Sequence, residues 1–343
     1  MSFGLKVLSA SGKSMLDTSL GSMLLLDYIE LPWTLSFSKQ YPSLAGTHII
    51  HTYHTDAHTV AYNRARPTII AGMDVNGIPT VTVTPDPSTP PPDSSDPYRW
   101  YVLVYARPTS TVDSFGLLAT GAADNVSLIA AGTKNLRFKG VINASPGDGP
   151  YADRFYEYDL ASVGVSLKIS PTPLLFLEMH PDHYVGIVSI MDFVSPDYSV
   201  HSTVQAIATP GFVPRLFVFF DDVAEHPIDT GSFGLAVYSA SGEVVFHSGR
   251  DVAYLQTSHF KQLNPPIFPD TADTATAAEV ATNAAAFYKS ISYANVAGTY
   301  LSGVKPVPGG LQTGWIYAFP GQYGFNNPQL EYCPVIDTSL YSV

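Results

Sequence analysis

One stretch constrains this fold more than any other, because it occurs twice almost unchanged. Ser2-Phe3-Gly4-Leu5-Lys6-Val7-Leu8-Ser9-Ala10-Ser11-Gly12 returns as Ser232-Phe233-Gly234-Leu235-Ala236-Val237-Tyr238-Ser239-Ala240-Ser241-Gly242. Two of the eleven positions differ, Lys6 against Ala236 and Leu8 against Tyr238. An eroded copy opens at Ser114-Phe115-Gly116-Leu117. Phe3, Leu5 and Val7 alternate with smaller or polar residues, the period of a half-buried strand. Ser9-Ala10-Ser11-Gly12 supplies a turn, and Gly12 can take the positive φ that a short hairpin loop needs. Met15-Leu16-Asp17-Thr18 and Val244-Val245-Phe246-His247 read as the returning strands. In the eroded copy Asp124-Asn125 stands in the place of Gly12, and such residues tolerate that backbone better than most. Hairpins are therefore expected at 2–18, 114–129 and 232–248, opening three units at 1–113, 114–231 and 232–343.

The same turn carries a false signal. Ser11-Gly12-Lys13-Ser14 looks like the end of a phosphate-binding loop, but that motif needs a glycine where Val7 stands. The later copy also places Glu243 in the position of Lys13, and a carboxylate repels phosphate. It is a turn.

The strand pattern continues between the hairpins. Met23 to Ile29, Trp33 to Phe37, and the Thr- and His-rich stretch from Thr47 to Tyr62 favour sheet. Thr68 to Met73 and Thr80 to Val83 flank Asp74-Val75-Asn76-Gly77, whose Asn-Gly predicts a hairpin turn. Pro85 to Pro97 and Ser145 to Pro150 are loops by composition. Asn135 to Ile142 and Gly164 to Ile169 are expected strands, and Leu174-Leu175-Phe176-Leu177 a buried one. Each unit approaches its end with an aromatic strand: Arg99 to Tyr105, Arg215 to Phe220, and Gly314 to Phe319. One helix is expected, from Thr274 to Ile291, on alanine propensity and the spacing of Val280, Ala284 and Phe287. The fold class is all-β, in mainly antiparallel sandwich-like units, with that single helix near 274–291.

Composition narrows function. Charged residues are only 13% of the chain, while Tyr 21, Phe 18, Pro 28 and Gly 26 are plentiful. That mixture suits β domains that bury surface against neighbouring subunits, so a homo-oligomer is expected, with a trimer favoured. A net charge of −12 argues against nucleic acid, whose phosphates need clustered Lys and Arg. Cys333 is the single cysteine, so no intrachain disulfide forms, and it reads as a buried hydrophobe. No apolar run reaches transmembrane length, and the first residues lead straight into a strand; assembly in a cytoplasm without membrane insertion is the expectation.

No stretch specifies a catalyst or a cofactor. His48, His51, His54 and His58 are the densest set of metal-ligand types, but the Thr and Ile around them favour a partly exposed strand over a metal site. Glu178, His180, Asp182 and His183 form a second cluster, which Pro181 marks as a turn with His and Asp capping backbone groups. Carboxylate pairs such as Asp221-Asp222 leave glycoside hydrolysis conceivable without pointing to it. Tyr151, Tyr156 and Tyr158, interleaved with Asp153, Arg154, Glu157 and Asp159, are candidates for a binding surface, as is Tyr323 in the Gly- and Asn-rich terminal stretch with Tyr317, Phe325 and Tyr332. An ordinary strand at a domain edge explains the first group equally.

The opening Phe3-Gly4-Leu5, Val7 and Ala10-Ser11-Gly12, followed by Met15-Leu16-Asp17-Thr18-Ser19, resembles a pattern at the amino terminus of tail-tip, baseplate and fibre-type proteins of tailed bacteriophages. His247-Ser248 replaces Asp17-Thr18 in the later copy, a departure from that pattern. The resemblance implies a noncatalytic virion structural protein of the distal tail. It would assemble with other tail proteins, attach to a host surface glycan or protein, and be put together in the host cytoplasm. A carbohydrate- or receptor-binding adhesin module is the alternative, and a polysaccharide-degrading enzyme the third reading.

Overall fold

Alternating apolar residues and short turns build mainly antiparallel sheet in the parts of the chain that the computed structural model describes. These are residues 6–8, 14–17, 21–22, 24–32, 36–42, 49–55, 68–84, 99–106, 116–120, 126–130, 134–135, 137–146, 151–165, 173–194, 200–220, 236–238, 244–247, 254–255, 273–276, 283–288, 290, 292–295, 298–320, 333 and 335–341. The all-β expectation holds.

The largest sheet has twelve strands. Its main path runs Lys134–Asn135, Leu24–Pro32, Arg99–Ala106, Ile49–Thr55, Val185–Val194, Val200–Ala208, Phe155–Asp159 and Ser145–Pro146. Gly298–Val307 joins it at Val185–Val194 and pairs with Ser292–Asn295 and Gly310–Phe319, the last of which carries Asp273–Thr276. A five-stranded sheet orders Arg137–Ile142, Leu216–Phe220, Leu174–Glu178, Ala284–Ala286 and Val335–Asp337. Phe37–Gln40, Pro79–Thr84 and Thr68–Met73 form a three-stranded sheet whose hairpin turns at Gly77, with φ of 72°. There Asp74 Oδ1 accepts from the amides of Asn76 and Ile78, so the expected Asn-Gly turn is locked by its first residue. Among the described ladders one is parallel, a single bridge between Met191 and Thr55.

The three expected hairpins are each a two-stranded antiparallel pair. Lys6–Leu8 pairs with Ser14–Asp17, Gly116–Thr120 with Val126–Ala130, and Ala236–Tyr238 with Val244–His247. The first and last share their register. Val7 faces Leu16 as Val237 faces Phe246, and the ladder then skips a residue between Val7 and Leu8 as between Val237 and Tyr238. The turn glycine Gly12 lies outside the described residues. Other pairings cross the boundaries expected between units: Lys134–Asn135 lies on Leu24–Pro32, and Ala284–Ala286 on Leu174–Glu178.

The main core lies between the large and five-stranded sheets, as in a sandwich. Period-two alternation sends Tyr156 and Tyr158, Val204 and Ala206, and Ile187 inward from the large sheet, to meet Phe176, Phe217, Phe219 and Ile336. Leu174 to Leu177 and Leu216 to Phe220 are buried at every position, so these inner strands read as continuous apolar runs rather than alternating ones. Each large side chain of this kind contributes roughly 1.5–3 kcal/mol by leaving water. A smaller cluster of Val188, Ile207, Leu301, Ile316 and Ala318 fills the opposite side of the large sheet.

The structure corrects the expected helix at 274–291. Asp273–Thr276 and Ala284–Ala286 are strands, and Ala284–Ala286 is hydrogen-bonded on both edges, to Leu174–Glu178 and Val335–Asp337. Burial decides the outcome: all three alanines are buried, and small side chains allow close packing that intrinsic propensity does not foresee. Two smaller expectations also change. Ser145–Pro146, expected as loop, makes a short edge pair with Phe155–Asp159. Gly164, expected to open a strand, caps the 3-10 helix Leu160–Val163 with φ of 73°; residues 166–169 of that strand lie outside the described ones. Among the described residues, no helix is long and apolar enough to cross a membrane.

Candidate binding surface

The segment from Tyr151 to Asp159 splits by strand parity. Residues 151–154 form a turn in which the amides of Arg154 and Phe155 donate to the Tyr151 carbonyl at 3.1 and 3.2 Å. In the strand that follows, Glu157 and Asp159 face outward, and Gln205 Nε2 donates to Glu157 Oε1 at 2.9 Å. Tyr156 and Tyr158 face the core, which corrects their expected place on a binding surface. The Tyr158 ring is fully buried and its hydroxyl donates to the Pro214 carbonyl at 2.7 Å, satisfying a group that would be costly to bury alone. The Tyr156 hydroxyl donates to the Asp153 carbonyl at 3.1 Å. Burial pushes both phenols above their ordinary range.

Tyr151 stays half-buried at the surface, and the structure gives it a partner 166 positions further along the chain, Tyr317. Arg154 joins the two. Its guanidinium lies 5.6 Å from the Tyr151 ring centroid and 6.0 Å from that of Tyr317, within cation–π range of both. Its Nε and Nη2 donate to the two Asp153 carboxylate oxygens at 3.0 and 3.1 Å, and Nη1 donates to the Tyr317 carbonyl at 2.9 Å. Tyr300, facing Tyr317 across the ladder, adds an edge-on ring at 5.4 Å. Hydrogen bonds from Arg154 hold the exposed Asp153 carboxyl below the usual carboxylate range, and Asp153 in turn raises Arg154. Sequence reasoning missed Arg154 as the hub and Tyr300 as a member. The adjacency of Asp153 and Arg154 between tyrosines was the available signal.

The Glu178–His183 cluster is a turn between two strands, as its proline indicates. Glu178 leaves it to grip Arg215 through two bonds, Nη2 to Oε1 at 2.7 Å and Nε to Oε2 at 2.9 Å, with the Arg215 amide at 3.2 Å. His180 Nδ1 accepts from the Asp182 amide at 3.2 Å, the backbone capping expected of this turn. The His180 and His183 rings sit 4.9 Å apart, and Phe212 lies against both, at 5.2 and 5.7 Å. Of the four candidate metal ligands, His51 and His54 fall in the strand Ile49–Thr55, as their neighbours suggested, while His48 and His58 lie outside the described residues, as does Tyr323. Among the described residues no group of three His, Cys, Asp or Glu side chains is placed to hold a metal ion.

The chain matches no known protein family, no curated protein and no solved structure.

Chemically, the Tyr151–Arg154–Tyr317 surface offers flat rings around a fixed ion pair. Asp153 has both oxygens engaged by one guanidinium, so the pair is preorganised and keeps lone pairs for further donors. Rings beside a rigid acceptor pair suit a ligand with one apolar face and adjacent hydroxyl or amide groups.

Proposed function

We propose that this chain is a noncatalytic structural subunit of a bacteriophage tail, a component of the tip, baseplate or fibre that acts in assembly and host attachment. The observation that carries the reading is the recurring hairpin. Its sequence resembles the opening of such tail proteins, and its two best-preserved copies share one register and one bulge over 230 positions. Low charge and abundant aromatic residues support a subunit that buries apolar sheet against other virion proteins and copies of itself, with a trimer as the favoured assembly. In that role the outward loops meet the host.

A second reading is favoured by the Tyr151, Asp153, Arg154 and Tyr317 surface: a carbohydrate- or receptor-binding adhesin, gripping a sugar by stacking and by hydrogen bonds to adjacent hydroxyls. One experiment separates the two. The solution mass of the purified full chain is measured, and the same sample is run over a glycan panel. A trimer or larger ring that ignores glycans is the expected result. A monomer with saturable sugar binding overturns the structural reading and puts the adhesin in its place.

A further inference from the structure

The turn that joins Thr68–Met73 to Pro79–Thr84 holds the chain's one Asn-Gly pair, Asn76 followed by Gly77. The side-chain carbonyl carbon of an asparagine is open to attack by the backbone nitrogen of the next residue, which closes a cyclic imide. A side chain on that next residue hinders the approach, and glycine has none. Around Gly77 the space is open, since a Cβ built there would meet nothing within 4 Å. Asn76 is exposed at the tip of the turn beside Val75, and among the described residues no group hydrogen-bonds its side-chain amide. Asn143, also exposed, is followed by Ala144 and gives an internal reference.

The same turn withholds the attacking nitrogen. The Gly77 amide donates to the Asp74 carbonyl at 3.0 Å, and the Asp74 amide donates to the Ile78 carbonyl at 2.9 Å. Asp74 Oδ1 accepts from the amides on either side of Gly77, those of Asn76 at 2.8 Å and Ile78 at 2.9 Å. Gln40 Nε2 donates to the other carboxylate oxygen at 3.2 Å and steadies it. One residue, Asp74, therefore holds three successive amides. Attack on Asn76 needs the Gly77 nitrogen to give up its proton and turn toward the side-chain carbon. In the closed turn that proton is engaged and the flanking dihedrals are fixed, so the reaction runs from the opened turn.

We propose that Asn76 is a site of spontaneous covalent modification, with Asp74 as its gate. The bond formed joins the Gly77 nitrogen to Asn76 Cγ. The bond broken joins Cγ to the side-chain nitrogen, which takes up the proton from Gly77 and leaves as ammonia. Solvent water then adds to one imide carbonyl and cleaves its bond to nitrogen. The product is an aspartyl link, or an isoaspartyl link when the main chain is left running through the former side chain. In sum an amide and a water become a carboxylic acid and ammonia, with no change of oxidation state. Either product sets a second carboxyl group beside Asp74, and the isoaspartyl link also lengthens the turn by one carbon. The turn thus keeps a covalent record of the time it has spent open. This inference stands independently of the tail reading.

The test is to incubate the full chain near neutral pH, digest it, and follow the peptides containing Asn76 and Asn143 by mass and by chromatography that resolves isoaspartyl forms. Modification should accumulate at Asn76 ahead of Asn143. In the native chain it should run roughly tenfold or more slower than in the guanidinium-unfolded chain, because the turn is closed most of the time. Asp74→Ala, which removes both carboxylate bonds, should speed the native reaction several-fold. Asp74→Asn keeps an oxygen that accepts both amides and should stay close to the natural rate. Should Asp74→Ala fail to fold, guanidinium below the unfolding transition replaces it, and modification of the natural chain must then rise in parallel with amide exchange at Gly77. Reaction at Asn143 before Asn76 would overturn the site. Equal rates in the native and unfolded chains, or no acceleration when the clamp is removed or opened, would overturn the gate.

Discussion

At the scale of single residues, two glycines show how closely this sheet is fitted. Gly303 and Gly314 face one another across the ladder, and the Tyr184 ring lies over them with the Lys305 ammonium 4.8 Å from its centroid. A Cβ added at Gly314 would stand 2.5 Å from Tyr184 Cζ, so the ring would have to leave its place. Gly314→Ala is therefore expected to cost about 1–3 kcal/mol, read as a lower denaturant midpoint with an unchanged slope. The backbone at both positions is not in the positive-φ region, so the glycines serve the ring and not a turn. Strand parity in the sequence was enough to separate Tyr156 and Tyr158 from Glu157 and Asp159. Which set faced inward depended on the sheet that arrives from residues 174–220, and no local signal carries that.

At the scale of elements, the segment 283–290 is the instructive case. It adds Ala284–Ala286 to the five-stranded sheet, and the Met179 amide donates to the Ala284 carbonyl at 2.9 Å. Then it crosses to the large sheet, where the Ile187 amide donates to the Tyr288 carbonyl and the Ser290 amide to the Ile187 carbonyl, both at 2.8 Å. The crossing falls beside the bulge between Ile187 and Ser189, and Gly186 there has no room for a side chain, since a Cβ would lie 2.8 Å from the Ser302 carbonyl. Tyr288 and Ser290, just beyond the strand, thus tie its sheet to the large one. Alanine in this sequence reads as helix because its helix propensity is the highest, but Ala285 is fully buried between two partner strands. Ala285→Leu separates the readings. A helix would accept leucine at little cost, whereas the buried strand should lose roughly 1–3 kcal/mol in chemical denaturation, from overpacking.

For the whole molecule, Cys333 is a built-in probe. It is 1% exposed within the main core, next to residues drawn from positions 142 to 341, and burial pushes its thiol well above the ordinary range. An alkylating reagent at neutral pH should leave it untouched in the native chain and label it with a midpoint in denaturant equal to that of the tyrosine signal. Labelling at the rate of a free thiol without denaturant would show that the shared core is open. The chain's own sequence settled much of this architecture: period-two alternation set the paired strands of the three hairpins, Asp74 and Gly77 the turn of their own hairpin, and continuous apolar runs the buried stretches of Leu174–Glu178 and Leu216–Phe220, because those choices rest on φ, ψ and solvation within a few residues. Tertiary structure decided the rest. Backbone ladders accept almost any partner, so the pairing of Leu174–Glu178 with Ala284–Ala286, the stacking of Arg154 between Tyr151 and Tyr317, and the fate of the alanine segment follow from which surfaces bury one another across more than a hundred residues.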